Sequence, residues 1–175
     1  MLEGKNVNLR IMEREDIPTM LNWNNNPNFY DDNLPLVQQS KTDLEKEFDA
    51  RLPESKMFFV EKKDGTKVGV IGHFLSGRLW EIGYVMVPEE RGKGYCSEAV
   101  NIMVDYLFLS KDMMRIQANT DTTNVASQRI LEKVGFKKEG TLRKSAFFRG
   151  RWRDWFLYSF LREDWKEPRI LTKTA

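Results

Sequence analysis

Between Tyr84 and Glu98 the chain reads Tyr-Val-Met-Val-Pro-Glu-Glu-Arg-Gly-Lys-Gly-Tyr-Cys-Ser-Glu, and no other stretch restricts the possible folds as much. An apolar strand runs through Tyr84, Val85, Met86 and Val87 into Pro88. Gly92 and Gly94 then flank Lys93, and a helical pattern follows. From Ser97 to Leu107, Val100, Met103, Val104 and Leu107 stand at the spacing of one buried helix face. A helix start leaves backbone N–H groups unpaired and carries partial positive charge. Glycines let that backbone approach an anion closely, and Arg91 and Lys93 add two cations. This chemistry suits a pyrophosphate. The same residues would also make a tight turn with solvated basic side chains, and glycine spacing alone does not separate the two. Two better-known phosphate loops are disfavoured. A P-loop needs Gly-x4-Gly-Lys-Ser/Thr, and a dinucleotide fingerprint needs Gly-x-Gly-x-x-Gly early in a βαβ unit. Here Gly94 is followed by Tyr95, Cys96 and Ser97, in mid-chain.

The strands before the loop read as an antiparallel meander. Lys56 to Lys62 and Lys67 to Leu75 are joined by the hairpin signal Asp64-Gly65. Ser76-Gly77 turns again into Leu79 to Val87. Towards the N-terminus, Val7 to Met12 reads as a short strand, followed by a helix with Asp16 as cap and Pro18 in its first turn. Asn22 to Asn33 is rich in Asn, Asp and Pro and reads as loop or broken helix. Leu44, Phe48 and Leu52 mark one face of a helix over Thr42 to Leu52. Beyond the loop and its helix, Met114 to Thr120 is a strand. Asn124 to Val134 is a helix with Ala126, Ile130 and Val134 on one side and Gly135 at its C-terminal cap. Two long strands, Lys138 to Phe148 and Trp152 to Leu161, close the chain through Arg149-Gly150. The result is a mixed sheet with helices, an α+β domain.

Composition narrows the function. A length of 175 residues fits one domain over 1–175, and 41% hydrophobic residues can build one core. A net charge of +2, with scattered Lys and Arg, gives no reason to expect nucleic acid. The single cysteine, Cys96, cannot form an internal disulfide. With one histidine, His73, and one cysteine no zinc-type cluster is expected. No apolar run is long enough to span a membrane, and the N-terminus lacks a signal-peptide stretch, so residence in the cytoplasm is the default expectation.

Three ordered blocks carry a family resemblance. Arg91-Gly-Lys-Gly-Tyr-Cys96 resembles the Arg/Gln-x-x-Gly-x-Gly/Ala signature of the Gcn5-related N-acetyltransferases (GNAT), and Glu81 to Pro88 and Ser97-Glu-Ala-Val100 look like its flanks. Asn119 to Gly140 is similar to the second block. Phe148 to Trp165 resembles the tail of the ribosomal-protein, RimJ/RimL-like branch. The resemblance is firm from about Val68 to Trp165 and loose before that. It implies a mixed, mostly antiparallel sheet of about seven strands flanked by about four helices. It also implies acetyl-CoA bound at the glycine loop and direct transfer of acetyl to a primary amine. By likeness to the ribosomal-protein branch, the acceptor is expected to be a protein N-terminal α-amine. A polyamine or an aminoglycoside-type amine is the alternative, and in that case Asp31, Asp32 and their neighbours should form an acidic pocket. A non-catalytic acyl-CoA-binding module is the remaining class, and a homodimer is compatible with the resemblance.

Residue roles follow from chemistry and resemblance together. Glu81 sits in the apolar strand Leu-Trp-Glu-Ile-Gly-Tyr-Val, where a desolvated carboxylate suits a base, and family members often carry a catalytic Glu there. The plain alternative is an ion pair, for example with Arg115. Ser127, in the Asn-x-x-Ser segment, matches the residue that the ribosomal-protein branch assigns to the leaving thiol. The tyrosine that other members use is replaced here by Leu131, and a carboxylate that some relatives carry after Gly140 is replaced by Ala146. Asn119 and Asn124 are expected to contact the pantetheine arm, although Asn124 would also serve as a helix cap. Tyr84, Val85, Met86 and Val87 would offer backbone to the same arm. Arg91, Gly92, Lys93, Gly94, Tyr95 and Cys96 would hold the phosphates. Cys96 stands where the signature has Gly or Ala, and packing is its expected role rather than acetyl transfer. His73 and Asp154 are expected to be structural.

Overall fold

A computed structural model describes residues 1–170. One eight-stranded sheet runs in the order β1-β2-β3-β4-β5-β6-β8-β7. Its strands are β1 (Leu2–Glu3), β2 (Val7–Ile11), β3 (Lys56–Lys62), β4 (Lys67–Ser76), β5 (Leu79–Met86), β6 (Arg115–Asp121), β7 (Lys137–Phe148) and β8 (Arg151–Leu161). The helices are α1 (Ile17–Asn24), α2 (Pro27–Tyr30), α3 (Lys41–Asp49), α4 (Tyr95–Ser110) and α5 (Val125–Val134). The expected mixed, mostly antiparallel α+β sheet is therefore present. It gains one strand on the expected seven, because the two-residue β1 is too short to leave a periodic signal. Among the described residues the single parallel neighbour pair is β5 with β6, and its register covers only Trp80 opposite Ile116 and Glu81 opposite Gln117. Beyond those residues β5 stays with β4 as far as Met86 while β6 stays with β8 as far as Asp121. The sheet thus splays open between its two central strands.

Two cores cover its faces. On one side α4 and α5 pack Val100, Met103, Val104, Leu107 and Leu131 against Leu9, Val60, Ile71, Ile82, Ile116 and Tyr158. On the other, α1 to α3 bring Ile17, Met20, Phe29 and Leu44 onto Phe59 and Val70. Strand alternation produces this partition, since Val70 and Ile71 are neighbours in sequence and lie in opposite cores.

Several local expectations need correction. Asp16 sits at the start of α1 but makes no capping bond to it. Its buried carboxylate instead accepts from Arg10 at 2.8 Å and Lys67 at 2.7 Å. An ion pair among three elements displaced the local cap. Leu52 lies beyond α3 and is exposed, and the buried positions of α5 are Leu131 and Val134 while Ala126 is exposed. The segment 22–33 is a broken helix, since α1 ends at Asn24, α2 follows, and a 3-10 turn covers Asp31–Asn33.

Gly135 does close α5, at φ 117°, donating to the carbonyls of Leu131 and Glu132. A Cβ there would come within 2.9 Å of the Phe160 ring. Gly135→Ala therefore adds both left-handed strain and a core clash, and should lower unfolding free energy by about 1–2 kcal/mol or more in urea titration.

Candidate active site

Period-two alternation assigns the side chains of the splay to two faces. On β5, Ile82, Tyr84 and Met86 join the α4–α5 core, and Val85 joins the other. Glu81 therefore shares the face of Val85, opposite to Tyr84. On β6, Ile116 and Ala118 are in the α4–α5 core, so Gln117, Asn119 and Asp121 share the face of Glu81. A cavity of about 510 Å³ lies on the Glu81 face, with Asn119, Asp121 and Trp155 in its wall. A second, of about 370 Å³, lies along the glycine loop and α5. Tyr84, Val85, Asn124 and Ser127 line both, so the two spaces meet at the gap between β5 and β6.

The glycine loop forms as its sequence implies. Gly92 and Gly94 adopt φ of 75° and 86°, and an added Cβ at either would stand in open space. The first bond of α4 runs from the Glu98 N–H to the Gly94 carbonyl, so the N–H groups of Tyr95, Cys96 and Ser97 precede the helical ladder. This open cradle of backbone donors beside a cavity fits the phosphates of coenzyme A.

Both expected cations also have protein partners. Arg91 Nε donates to the Met86 carbonyl at 3.1 Å, and its Nη atoms bond Asp31 at 2.9 Å and the Phe29 carbonyl at 2.7 Å. Lys93 pairs with Glu90 at 2.9 Å and does not line the cavity. Arg91, which lines the glycine-loop cavity, thus also ties the loop after α2 to the end of β5. Val87 is also absent from the cavity wall, its N–H being spent on the Val68 carbonyl. Positive charge reaches the cavity from Arg129 and Lys133 of α5. Their spacing of four residues puts both on one face of the helix after Asn124.

Glu81 is buried and accepts from Gln117 Nε2 at 3.2 Å and from Asn119 Nδ2 at 3.0 Å. The alternative ion pair with Arg115 does not form, because Arg115 bonds Glu139 at 2.7 Å. Asn119 was expected at the pantetheine arm, yet its side chain lies beside Glu81 in the larger cavity. Asn124 caps α5, its Oδ1 accepting from the Ser127 N–H at 3.0 Å. That cap holds Ser127 so that its Oγ lies 3.0 Å from the Tyr84 hydroxyl. Burial raises the Tyr84 phenol well above its ordinary value, against the lowering effect of its hydrogen bond with Ser127. Alternation from Glu81 puts the Tyr84 ring on the α4–α5 face, so its side chain as well as its backbone borders the gap.

Burial pushes the Cys96 thiol up to about 12 against the pull of Arg91, so it is no thiolate nucleophile near neutral pH. His73 is buried among Phe58, Trp80 and Tyr106. Burial, helped by Lys111 and Lys56, lowers its imidazole to about 4 and keeps it neutral. Asp154 accepts from the Lys144 N–H at 2.8 Å and caps the bulge in β7. Asp31 is neutralised by Arg91, and Asp32 lies 3.5 Å from Arg149. No group of three or more His, Cys, Asp or Glu able to hold a metal occurs among the described residues, and no helix among them is long and apolar enough to cross a membrane.

A splayed mixed sheet with a backbone anion cradle at its opening is the architecture of an acyl-CoA-dependent acetyltransferase. Residues 6–137 match the family model for the acetyltransferase (GNAT) domain, and the chain belongs to that family. It is 32% identical over 180 residues to the probable N-acetyltransferase YjcK of Bacillus subtilis (strain 168), covering 94% of this chain and 98% of that one. Its fold is similar to the spermidine N-acetyltransferase of Vibrio cholerae, solved with CoA and spermine. That match has a TM-score of 0.81 at 25% identity over 91% of this chain and 97% of the other. It is also similar to the ribosomal-protein-S5-alanine acetyltransferase of Vibrio fischeri, with a TM-score of 0.79 at 24% identity over 95% and 100%. The protein is thus a GNAT N-acetyltransferase that uses acetyl-CoA.

Acetyl-CoA should raise the melting temperature of the wild type through preferential binding to the native state. Gly94→Val should abolish that shift, because a β-branched residue strains the left-handed turn and fills the cradle. An unaltered shift in the folded variant would remove the loop from the cofactor site.

Proposed function

We propose that this protein moves acetyl directly to a primary amine held on the Glu81 face, and that the acceptor is a protein N-terminal α-amine. The placement of Glu81 and of the Ser127–Tyr84 pair on opposite sides of one gap carries the direct mechanism. Bound acetyl-CoA supplies an acetyl thioester whose C–S bond is exchanged for the C–N bond of the product. Glu81 accepts the proton that the amine loses, and its two amide donors hold the carboxylate in position. Ser127, oriented by its Asn124 cap and coupled to Tyr84, donates a hydrogen bond toward the departing sulfur. Gly92, Gly94 and the start of α4 anchor the phosphates, and the unpaired edge of β5 beyond Glu81 can pair with the amides of the pantetheine arm.

Charge on the acceptor side favours a monocationic amine. The carboxylates in that cavity wall are Glu81 and Asp121. Asp121 is already bound to Arg153 at 2.6 Å and to Thr123. Asp31 and Asp32 face Arg91 and Arg149 instead of forming an acidic pocket. A polyamine would find one free carboxylate for its several charges. The likeness to spermidine N-acetyltransferase supports the polyamine as the second reading.

Thiol release should be measured with N-terminal peptides, spermidine and an aminoglycoside as acceptors. Peptides should give the highest kcat/KM; preference for spermidine would overturn the N-terminal reading. Glu81→Gln should lower kcat about a hundredfold or more while leaving the acetyl-CoA melting shift intact. Unchanged turnover would remove Glu81 from the mechanism.

A further inference from the structure

Besides the two ring nitrogens of His73, which sit among Phe58, Trp80 and Tyr106, two polar side-chain atoms in the acceptor wall, Asn119 Oδ1 and Trp155 Nε1, are buried and have no hydrogen-bond partner among the described residues. Both residues line the cavity on the Glu81 face. Their chemistry is complementary. Asn119 turns its NH2 to Glu81 at 3.0 Å, so its Oδ1 faces away as an acceptor. The indole N–H of Trp155 only donates. The carboxylate across from it in the sheet, Asp121, is spent on Arg153 Nε and on the N–H and hydroxyl of Thr123.

The register sets the two residues near each other. Asn119 lies opposite Leu157 and Asp121 opposite Trp155, so Asn119 and Trp155 are diagonal neighbours on one face. Such neighbours stand about 7–8 Å apart at the backbone, within reach of a long aromatic side chain. A buried polar atom left unpaired is costly, and a ligand that supplies both partners removes that cost.

We infer that Asn119 and Trp155 form a recognition pair for an α-aminoacyl group. Asn119 Oδ1 accepts from the acceptor's amine N–H, and Trp155 Nε1 donates to the carbonyl oxygen next to that amine. An amine carrying an adjacent carbonyl satisfies both atoms, as at a peptide N-terminus. A polyamine offers donors but no carbonyl and leaves the indole N–H unpaired. This assignment rests on the N-terminal reading and names the residues that read it. Asn119 and Trp155 are specificity residues here, with Glu81 keeping the proton.

The test compares, on the wild-type enzyme, a dipeptide amide with the same molecule whose first carbonyl is reduced to methylene, with spermidine as a third acceptor. The dipeptide amide should exceed the reduced analogue in kcat/KM by about tenfold or more, because a site built to bond a group rejects analogues lacking it. Trp155→Phe should collapse that preference toward one, mainly through the KM of the dipeptide amide, with the acetyl-CoA melting shift confirming a folded enzyme. Equal turnover of the two analogues by the wild type overturns the pair, and that comparison requires no variant. If peptides remain preferred over spermidine but Trp155→Phe keeps the carbonyl preference, the pair is wrong and the N-terminal reading stands. If spermidine is preferred, or the dipeptide amide is not turned over, the N-terminal reading and the pair fall together.

Discussion

Everything functional in this molecule depends on the divergence of β5 from β6 after Glu81. Two registered residues hold the strands together, and beyond them each follows its other neighbour. An unpaired strand edge inside a protein is costly because backbone donors and acceptors lose water without gaining partners. Here that edge lines two joined cavities instead of a core. The opening is therefore a place where an extended amide-bearing ligand can complete the sheet. Strand alternation then distributes the chemistry, setting a carboxylate on one side of the gap and a hydroxyl pair on the other.

The charged groups around this opening act mainly as ties. Arg91 links β5 to the segment after α2, Arg149 reaches the Leu34 carbonyl at 3.1 Å, and Arg153 reaches the Asp32 carbonyl at 3.3 Å. Three guanidiniums, from the glycine loop, the β7–β8 turn and β8, thus hold one short segment, 29–34, part of which walls both cavities. Planar guanidinium groups suit this task because one side chain can bond several carbonyls and a carboxylate at once. The consequence is electrostatic as well as mechanical. Asp31 and Asp121 are paired within the scaffold, and Arg91, Arg129 and Lys133 line the cavity beside the glycine loop.

Much of this was legible along the chain. Alternation and turn signals located the meander from Lys56 to Met86, and helical spacing located α4, whose Val100, Met103, Val104 and Leu107 are all buried. Gly92 and Gly94 announced the turn before α4 because few other residues tolerate its left-handed backbone. Gly135 announced the end of α5 for the same reason. These are local properties, set by backbone sterics and by the period of the hydrophobic pattern.

The remainder was decided by contacts between distant segments. Asp16 carries the signature of a helix cap but is drawn into an ion pair with Arg10 and Lys67. Arg91 reads as a phosphate ligand but is also tied to a loop sixty positions earlier in the sequence. Asn119 reads as a cofactor contact but turns its amide to Glu81, because a parallel register brings those two strands together. The sequence by itself determined the glycine loop, the α+β order and the residue types able to transfer an acetyl group. The tertiary structure alone decided which of those polar groups are spent on one another and which remain for a ligand. Pairing between side chains depends on strand register and loop closure, and neither is encoded by any single stretch of the chain.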